Sequence, residues 1–129
     1  MRFYSLKEIE GKISPHTSFL ERELERRKEL FKFIKSPEEV SEFTGGEVFE
    51  VGIGESWALR KEFFPGVSVI VLYFREDEEF PSKLSSLFSG DRIKDMKGED
   101  LVELTLCLVN HILRFLKLKG VKHEMLERV

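Results

Sequence analysis

The sequence predicts an α+β fold: an antiparallel sheet of three or more strands packed against an apolar C-terminal helix, with amphipathic helices at the N-terminus. Three stretches carry that expectation. In Val67 to Phe74, the residues Val67, Val69, Val71 and Tyr73 alternate with Ser68, Ile70, Leu72 and Phe74, so a strand here is apolar on both faces. Leu101 to Lys119 has helical period and one narrow polar stripe, Glu103, Asn110, Arg114 and Lys117, which leaves most of its circumference apolar. Pro15 to Lys35 repeats Leu20, Leu24, Phe31 and Ile34 at helical spacing through a run of mixed charges. A strand apolar on two sides must be covered on both.

In chain order, Ser5-Leu6-Lys7-Glu8 has capping-box spacing and opens a short helix, Leu6 to Glu10. Ser14-Pro15 starts the long helix, since proline is pre-shaped for the first helical position. The charges from Glu21 to Glu29 alternate in sign, the pattern of a solvated face. Ser36-Pro37-Glu38-Glu39 opens a new helix through Phe43, stopped by Gly45-Gly46. Glu47 to Ile53 alternates with Phe49, Val51 and Ile53 on one face. Ser56 to Phe63 alternates with Trp57, Leu59 and Phe63 inward, and Gly54-Glu55 joins the two as a tight hairpin. Pro65-Gly66 turns the chain into Val67 to Phe74, making a three-stranded meander the simplest sheet. Pro81 then starts a short helix bearing Leu84, Leu87 and Phe88 and ending at Gly90. Asp91 to Lys97 is irregular, Gly120 closes the last helix, and Val121 to Val129 frays.

The 129 residues fit one domain, 1–129, long enough to bury a core without metals or disulfides. Lys and Arg number 21 against 24 Asp and Glu, a net charge of -3 that gathers neither nucleic acid nor an anionic membrane. Cys107 is the single cysteine, so no internal disulfide and no cysteine-built metal cage can form, which fits a cytoplasmic protein. Lys7, Glu8 and Glu10 stand where a signal peptide needs its apolar core, and no long uncharged apolar run is present. Charged residues make up 35% of the chain, Gln is absent and Asn occurs once, a balance expected of a thermophile.

For chemistry, the clearest local pattern is the acidic run Glu76 to Glu79 followed by Phe80-Pro81. Asp77 and Glu79 together with Asp100 could converge to hold a divalent cation or to pair as acid and base, or the acids could simply favour helix N-termini. Cys107 and His111 share a helix side, but two ligands make no metal site, and a buried cysteine beside a half-buried histidine is the plainer reading. Val51-Gly52-Ile53-Gly54-Glu55 lacks the third glycine, the Lys-Ser/Thr pair and the following helix of a phosphate loop. Trp57 could line a pocket for a planar ligand or belong to the core. No serine has a nucleophile-elbow context and no His-Glu-x-x-His occurs. The expectation is a non-catalytic binding or accessory protein with no cofactor or metal, using Asp77, Glu79, Phe80, Asp100 and Trp57 to contact a ligand or partner protein. The alternative is a small enzyme or metal-binding protein with a carboxylate site at Asp77, Glu79 and Asp100. A homodimer is also expected, because in a meander Val67 to Phe74 is an edge apolar on both faces and the last helix has more apolar surface than a small sheet covers.

The segment Leu59 to Leu116 resembles the C-terminal part of an uncharacterised family of small proteins, a domain of unknown function associated with anaerobic bacteria and archaea. The likeness lies in Pro65-Gly66-Val67 through Phe74, then Asp77, Glu79, Phe80 and Pro81, then Leu87-Phe88, then Glu99-Asp100-Leu101. The family follows Leu-Phe with an acid, where this chain has Ser89-Gly90-Asp91. Some relatives carry a cysteine-rich, cluster-binding segment that a chain with Cys107 alone does not have. The resemblance implies an ordered acidic turn and supplies no activity, substrate or cofactor.

Overall fold

In the computed structural model, which describes residues 1–129, each helix starts where the sequence offers a cap. Ser5 and Glu8 form the reciprocal capping box of α1 (Leu6–Glu10), and the Ser36 hydroxyl accepts the Glu39 N–H at the head of α3 (Pro37–Thr44). Between them lies α2 (Pro15–Arg27), with proline in its first turn. The predicted helix to Lys35 does not continue: from Lys28 to Phe33 the chain winds as a 3-10 helix. An unbroken α-helix would set Leu30 about 120° around from Leu24. The tighter winding sends both Leu30 and Phe31 inward, where they are fully buried.

The sheet has four strands, β1 (Glu47–Phe49), β2 (Trp57–Phe64), β3 (Val67–Phe74) and β4 (Lys83–Ser89), in the order β1-β2-β3-β4 and all antiparallel. β4 replaces the helix expected after Pro81. Leu84, Leu87 and Phe88 have a spacing that suits a helix as well as a strand, and what decides is β3, whose second ladder is completed by Ser85 opposite Leu72 and Leu87 opposite Ile70. β3 is thus an interior strand. The other correction is at β1, which stops at Phe49, so the connection to β2 runs from Glu50 to Ser56 rather than through a tight Gly54-Glu55 turn. Ile53, expected inside, is 61% exposed.

Val67, Val69, Val71 and Tyr73 face a core shared with Leu20, Leu24, Phe31 and the inner side of α4 (Gly98–Leu118). On the opposite face Ala58, Ile70 and Leu72 are fully buried beneath Phe3, Val51, Phe74 and Leu87. That second face is closed by the N-terminal residues and the β1–β2 loop, not by helices: Tyr4 pairs with Phe88 along β4, and Phe3 meets Phe49 edge-on at 5.9 Å. The two surfaces that favoured a second copy, β3 and the flanks of α4, are covered within one chain for most of their area. The C-terminal residues do not fray, because Glu124–Arg128 form a 3-10 turn that buries Leu126. Cys107 is exposed rather than buried. No helix is long and apolar enough to cross a membrane.

Candidate functional site

The acidic stretch after β3 is a hairpin loop, not a strand-to-helix turn, and its shape comes from one side chain. Asp77 Oδ1 accepts the N–H groups of Glu79 (2.9 Å) and Phe80 (2.8 Å), while the Asp77 N–H donates to the Phe80 carbonyl at 3.0 Å. This is an Asx turn closed from both sides. It holds Phe80 outward with 66% of its surface exposed, and Pro81 stiffens the return to β4. A second loop meets it: the Arg75 N–H donates to the Ser56 hydroxyl at 2.9 Å, tying the start of the acidic loop to the end of the β1–β2 connection.

That connection is also organised by a carboxylate. Glu55 accepts the N–H groups of Val51 (2.5 Å) and Gly52 (3.1 Å) on one oxygen and of Ile53 (2.9 Å) on the other. Burial alone would raise the Glu55 pKa, but these donors outweigh it and hold the group below its ordinary 4.5. A carboxylate with a depressed folded pKa stabilises the fold fully above its unfolded pKa and loses that contribution as pH falls through the folded value. Glu55→Gln, which keeps one acceptor oxygen and turns an NH₂ toward the other amides, is therefore expected to be less stable than the parent near neutrality. The gap should narrow progressively as urea unfolding is repeated at pH values lowered below the ordinary 4.5. A gap that stays the same size throughout the acid range would show that the charge is not what holds the loop.

The third wall comes from the end of α2 and the 3-10 segment. Lys28, whose side chain is only 12% exposed, donates to Glu25 at 2.7 Å, and the hydrogen bond to Glu25 raises its pKa. Ser82 bonds Glu29 at 3.3 Å and so fixes the foot of β4 against this segment. The three walls enclose a groove of about 750 Å³. Phe74, Phe80 and Pro81 supply its apolar surface, and Lys28, Arg75, Lys83, Glu25, Glu76 and Asp77 ring it with both signs of charge. Behind it lies a buried aromatic trio: Phe31 stacks on Trp57 at 5.8 Å, and Tyr73 tilts against both at 5.7 and 6.0 Å. Burial, with Glu29 and Glu76 nearby, raises the Tyr73 pKa against the opposing pull of Arg75.

Of the residues expected to form a site, the fold brings together Asp77, Glu79 and Phe80 and separates the other two. Asp77 and Phe80 line the groove, and Glu79 sits in the same loop without lining it. Trp57 lines a different, smaller cleft of about 480 Å³ beside Pro37 and Glu55, and its buried Nε1 has no partner. Asp100 is in the first turn of α4, past the loop anchored by the Arg92 N–H to the Gly66 carbonyl, at the far end of the β3–β4 hairpin. The three-carboxylate site is not assembled, and nowhere do three His, Cys, Asp or Glu side chains gather in a way that could hold a metal ion. His111 packs edge-on against Phe43, His16 bonds Glu10 at 2.6 Å and His123 accepts the Met125 N–H, so none of them turns toward a common ligand with Cys107. Lys28, Arg75 and Lys83 join the groove from three separate stretches of chain, and no local pattern in the sequence groups them.

The sequence profile of the family described as Domain of unknown function (DUF3786) matches residues 5–111, from the cap of α1 through most of α4. The chain belongs to this family. The match reaches well beyond the Leu59 to Leu116 likeness and takes in α2 and both loops that wall the groove, so the whole groove lies within the DUF3786 domain. No curated protein and no solved structure matches the chain.

Proposed function

We propose that this DUF3786 chain is a non-catalytic binding protein that receives a segment of a partner protein in the groove beside Phe80. The observation that carries the reading is Phe80 itself: a large apolar side chain left 66% exposed by a turn that three hydrogen bonds hold in one shape. Such an aromatic, rigidly presented beside a partly apolar groove with a charged rim, has the make-up of an interface anchor. The mixed rim suits a polypeptide carrying both signs of charge better than a small ion of one sign. Of the groups beside the groove, Lys28 and Tyr73 have raised pKa values that keep the first cationic and the second neutral at physiological pH, so neither is poised to exchange a proton. A cytoplasmic setting agrees with the exposed thiol of Cys107, which a reducing compartment preserves, and the high charge content with no Gln agrees with a thermophilic source.

The test uses tagged wild type, Phe80→Ala, Asp77→Asn and Asp77→Ala to capture partners from the source organism, with a melting curve on each. Asparagine retains the oxygen that accepts from Glu79 and Phe80, so Asp77→Asn is expected to recover the same partner as wild type. Phe80→Ala should lose it, and Asp77→Ala, with the turn released, should weaken capture. A partner held equally by Phe80→Ala would overturn the proposal. So would a divalent cation or small molecule that raises the melting temperature of wild type by several degrees but not that of Asp77→Asn, an outcome that favours the carboxylate chemistry instead.

A further inference from the structure

We propose that two copies of this chain join along β4, an edge distinct from the Phe80 groove, to merge two four-stranded sheets into one continuous antiparallel sheet. The argument begins with the direction of backbone groups. The Tyr73 carbonyl accepts the Ser56 N–H at 2.8 Å, so Tyr73, Val71 and Val69 turn their backbone toward β2. Their β4 neighbours Leu84, Ser86 and Phe88 therefore turn theirs away from β3, to the open edge. At Phe88 both groups are taken by Tyr4, at 2.8 Å each. Nothing pairs with the outward N–H and C=O of Leu84 and Ser86.

The open stretch also lacks the usual protections of a sheet edge. From Leu84 to Ser89 there is no charge, no proline and no break in register. Beside it runs a groove of about 560 Å³ with α1 and α2 as walls and a floor made by the buried side chains of Leu6, Leu20, Leu24 and Leu84 and the half-buried Leu87. The opposite edge, β1, is only three residues long.

The occupant that fits is a second β4. A two-fold axis through Ser85 sets Leu84 opposite the partner copy's Ser86 and the reverse, so each pair exchanges both its N–H···O bonds; the join is three residues long in each copy, Leu84 to Ser86, and ends where Tyr4 already occupies the edge at Phe88. On the axis serine meets serine, where a lysine or glutamate would oppose its own copy. The flanking helix is self-complementary in charge. Glu23 is paired with Arg26 and Arg27, and Glu25 with Lys28, but Glu21 and Arg22 on the outer side of α2 have no ion pair within the chain. Glu21 lines the edge groove, and the two-fold runs the second α2 antiparallel to the first, bringing each Glu21 toward the other copy's Arg22. Glu25 and Lys83 belong to this groove and to the one beside Phe80, so the partner copy's strand would border the proposed binding site.

Light scattering on size-separated protein at micromolar concentration tests this. Wild type should have twice the 15.1 kDa chain mass. Ser86→Pro removes an outward N–H without touching a bond to β3 and should return 15.1 kDa with its melting transition retained. Should that variant fail to fold, charge reversal decides. Arg22→Glu and Glu21→Arg should each weaken self-association about tenfold, and mixing the two variants should restore it, since the mixed pair is complementary again. A wild type that stays at 15.1 kDa up to about 100 μM would overturn the proposal, as would a dimer indifferent to all three substitutions. Saturation of a monomer's edge groove by an extended foreign peptide would replace the second copy as the occupant and equally overturn it.

Discussion

Replacing Phe31 by alanine is expected to lower the unfolding free energy by about 3–5 kcal/mol and to change the fluorescence of Trp57. Phe31 is completely buried, stacked nearly parallel to Trp57 with 12° between the rings, and tilted against Tyr73. Its removal leaves a void lined by two rigid rings that cannot collapse into it, the condition under which large-to-small substitutions cost most. The effect extends past the void. Phe31 is the inward anchor of the 3-10 segment that begins at Lys28 and carries Glu29, so the wall of the groove loses its fixed position with the ring. Trp57 is the one tryptophan and loses its stacked partner with Phe31, so its emission reports the void directly. Urea unfolding followed by tryptophan emission measures both quantities at once. A loss under about 1 kcal/mol with unchanged emission would mean that the segment is held by something other than the aromatic trio.

How much of this was legible in the sequence depends on whether a segment's local pattern admits one structure or two. The Ser5-Glu8 box, the Ser36-Pro37 start, the two-faced strand Val67 to Phe74 and the apolar helix after Gly98 each have one reading, and each forms where expected. Leu84-Ser85-Ser86-Leu87-Phe88 has two. Its apolar residues fall three and four apart, as in a helix, yet Leu84 and Phe88 also share one face of a strand with Leu87 on the other. Only the open ladder of β3 chooses, and that is tertiary information. One misreading then produced another. A strand of seven residues advances about 3.3 Å per residue, so β4 carries the chain the length of the sheet away from the acidic turn before α4 begins, and Asp100 goes with it. The same strand brings Lys83 back beside Phe74, which is why the groove's cations could not be grouped from sequence. In the β1–β2 loop the alternation of Val51 and Ile53 promised strand, but the Glu55 carboxylate offers three backbone donors a competing partner and wins.

Gly90→Ala is expected to destabilise the protein by about 2–4 kcal/mol, far more than the loss of a loop glycine ordinarily costs. Gly90 follows β4 at φ +122°, a conformation that strains any residue with a Cβ. A Cβ built there would also lie 2.0 Å from the Gly66 carbonyl oxygen and 2.4 Å from its carbon, both backbone atoms with no rotamer to adopt. Nor can that carbonyl turn aside freely, because it accepts the Arg92 N–H at 3.0 Å and so anchors the loop leading to α4. Gly66 in turn sits at φ +82° in the β2–β3 turn, with the Asp91 carboxylate 2.2 Å from where its own Cβ would stand. Two chain reversals thus interlock through the two positions that lack side chains. Gly120→Ala is the control that separates the two costs: Gly120 has φ +88° but no atom within 4 Å of its missing Cβ, so only the backbone strain of about 1–2 kcal/mol applies. The difference between the two variants in urea midpoint therefore measures the interlock together with the added strain of φ +122° over +88°. If Gly90→Ala proves no worse than Gly120→Ala, the β2–β3 turn can slide away from β4 without loss, and the placement of α4 across the sheet must depend on its core contacts alone.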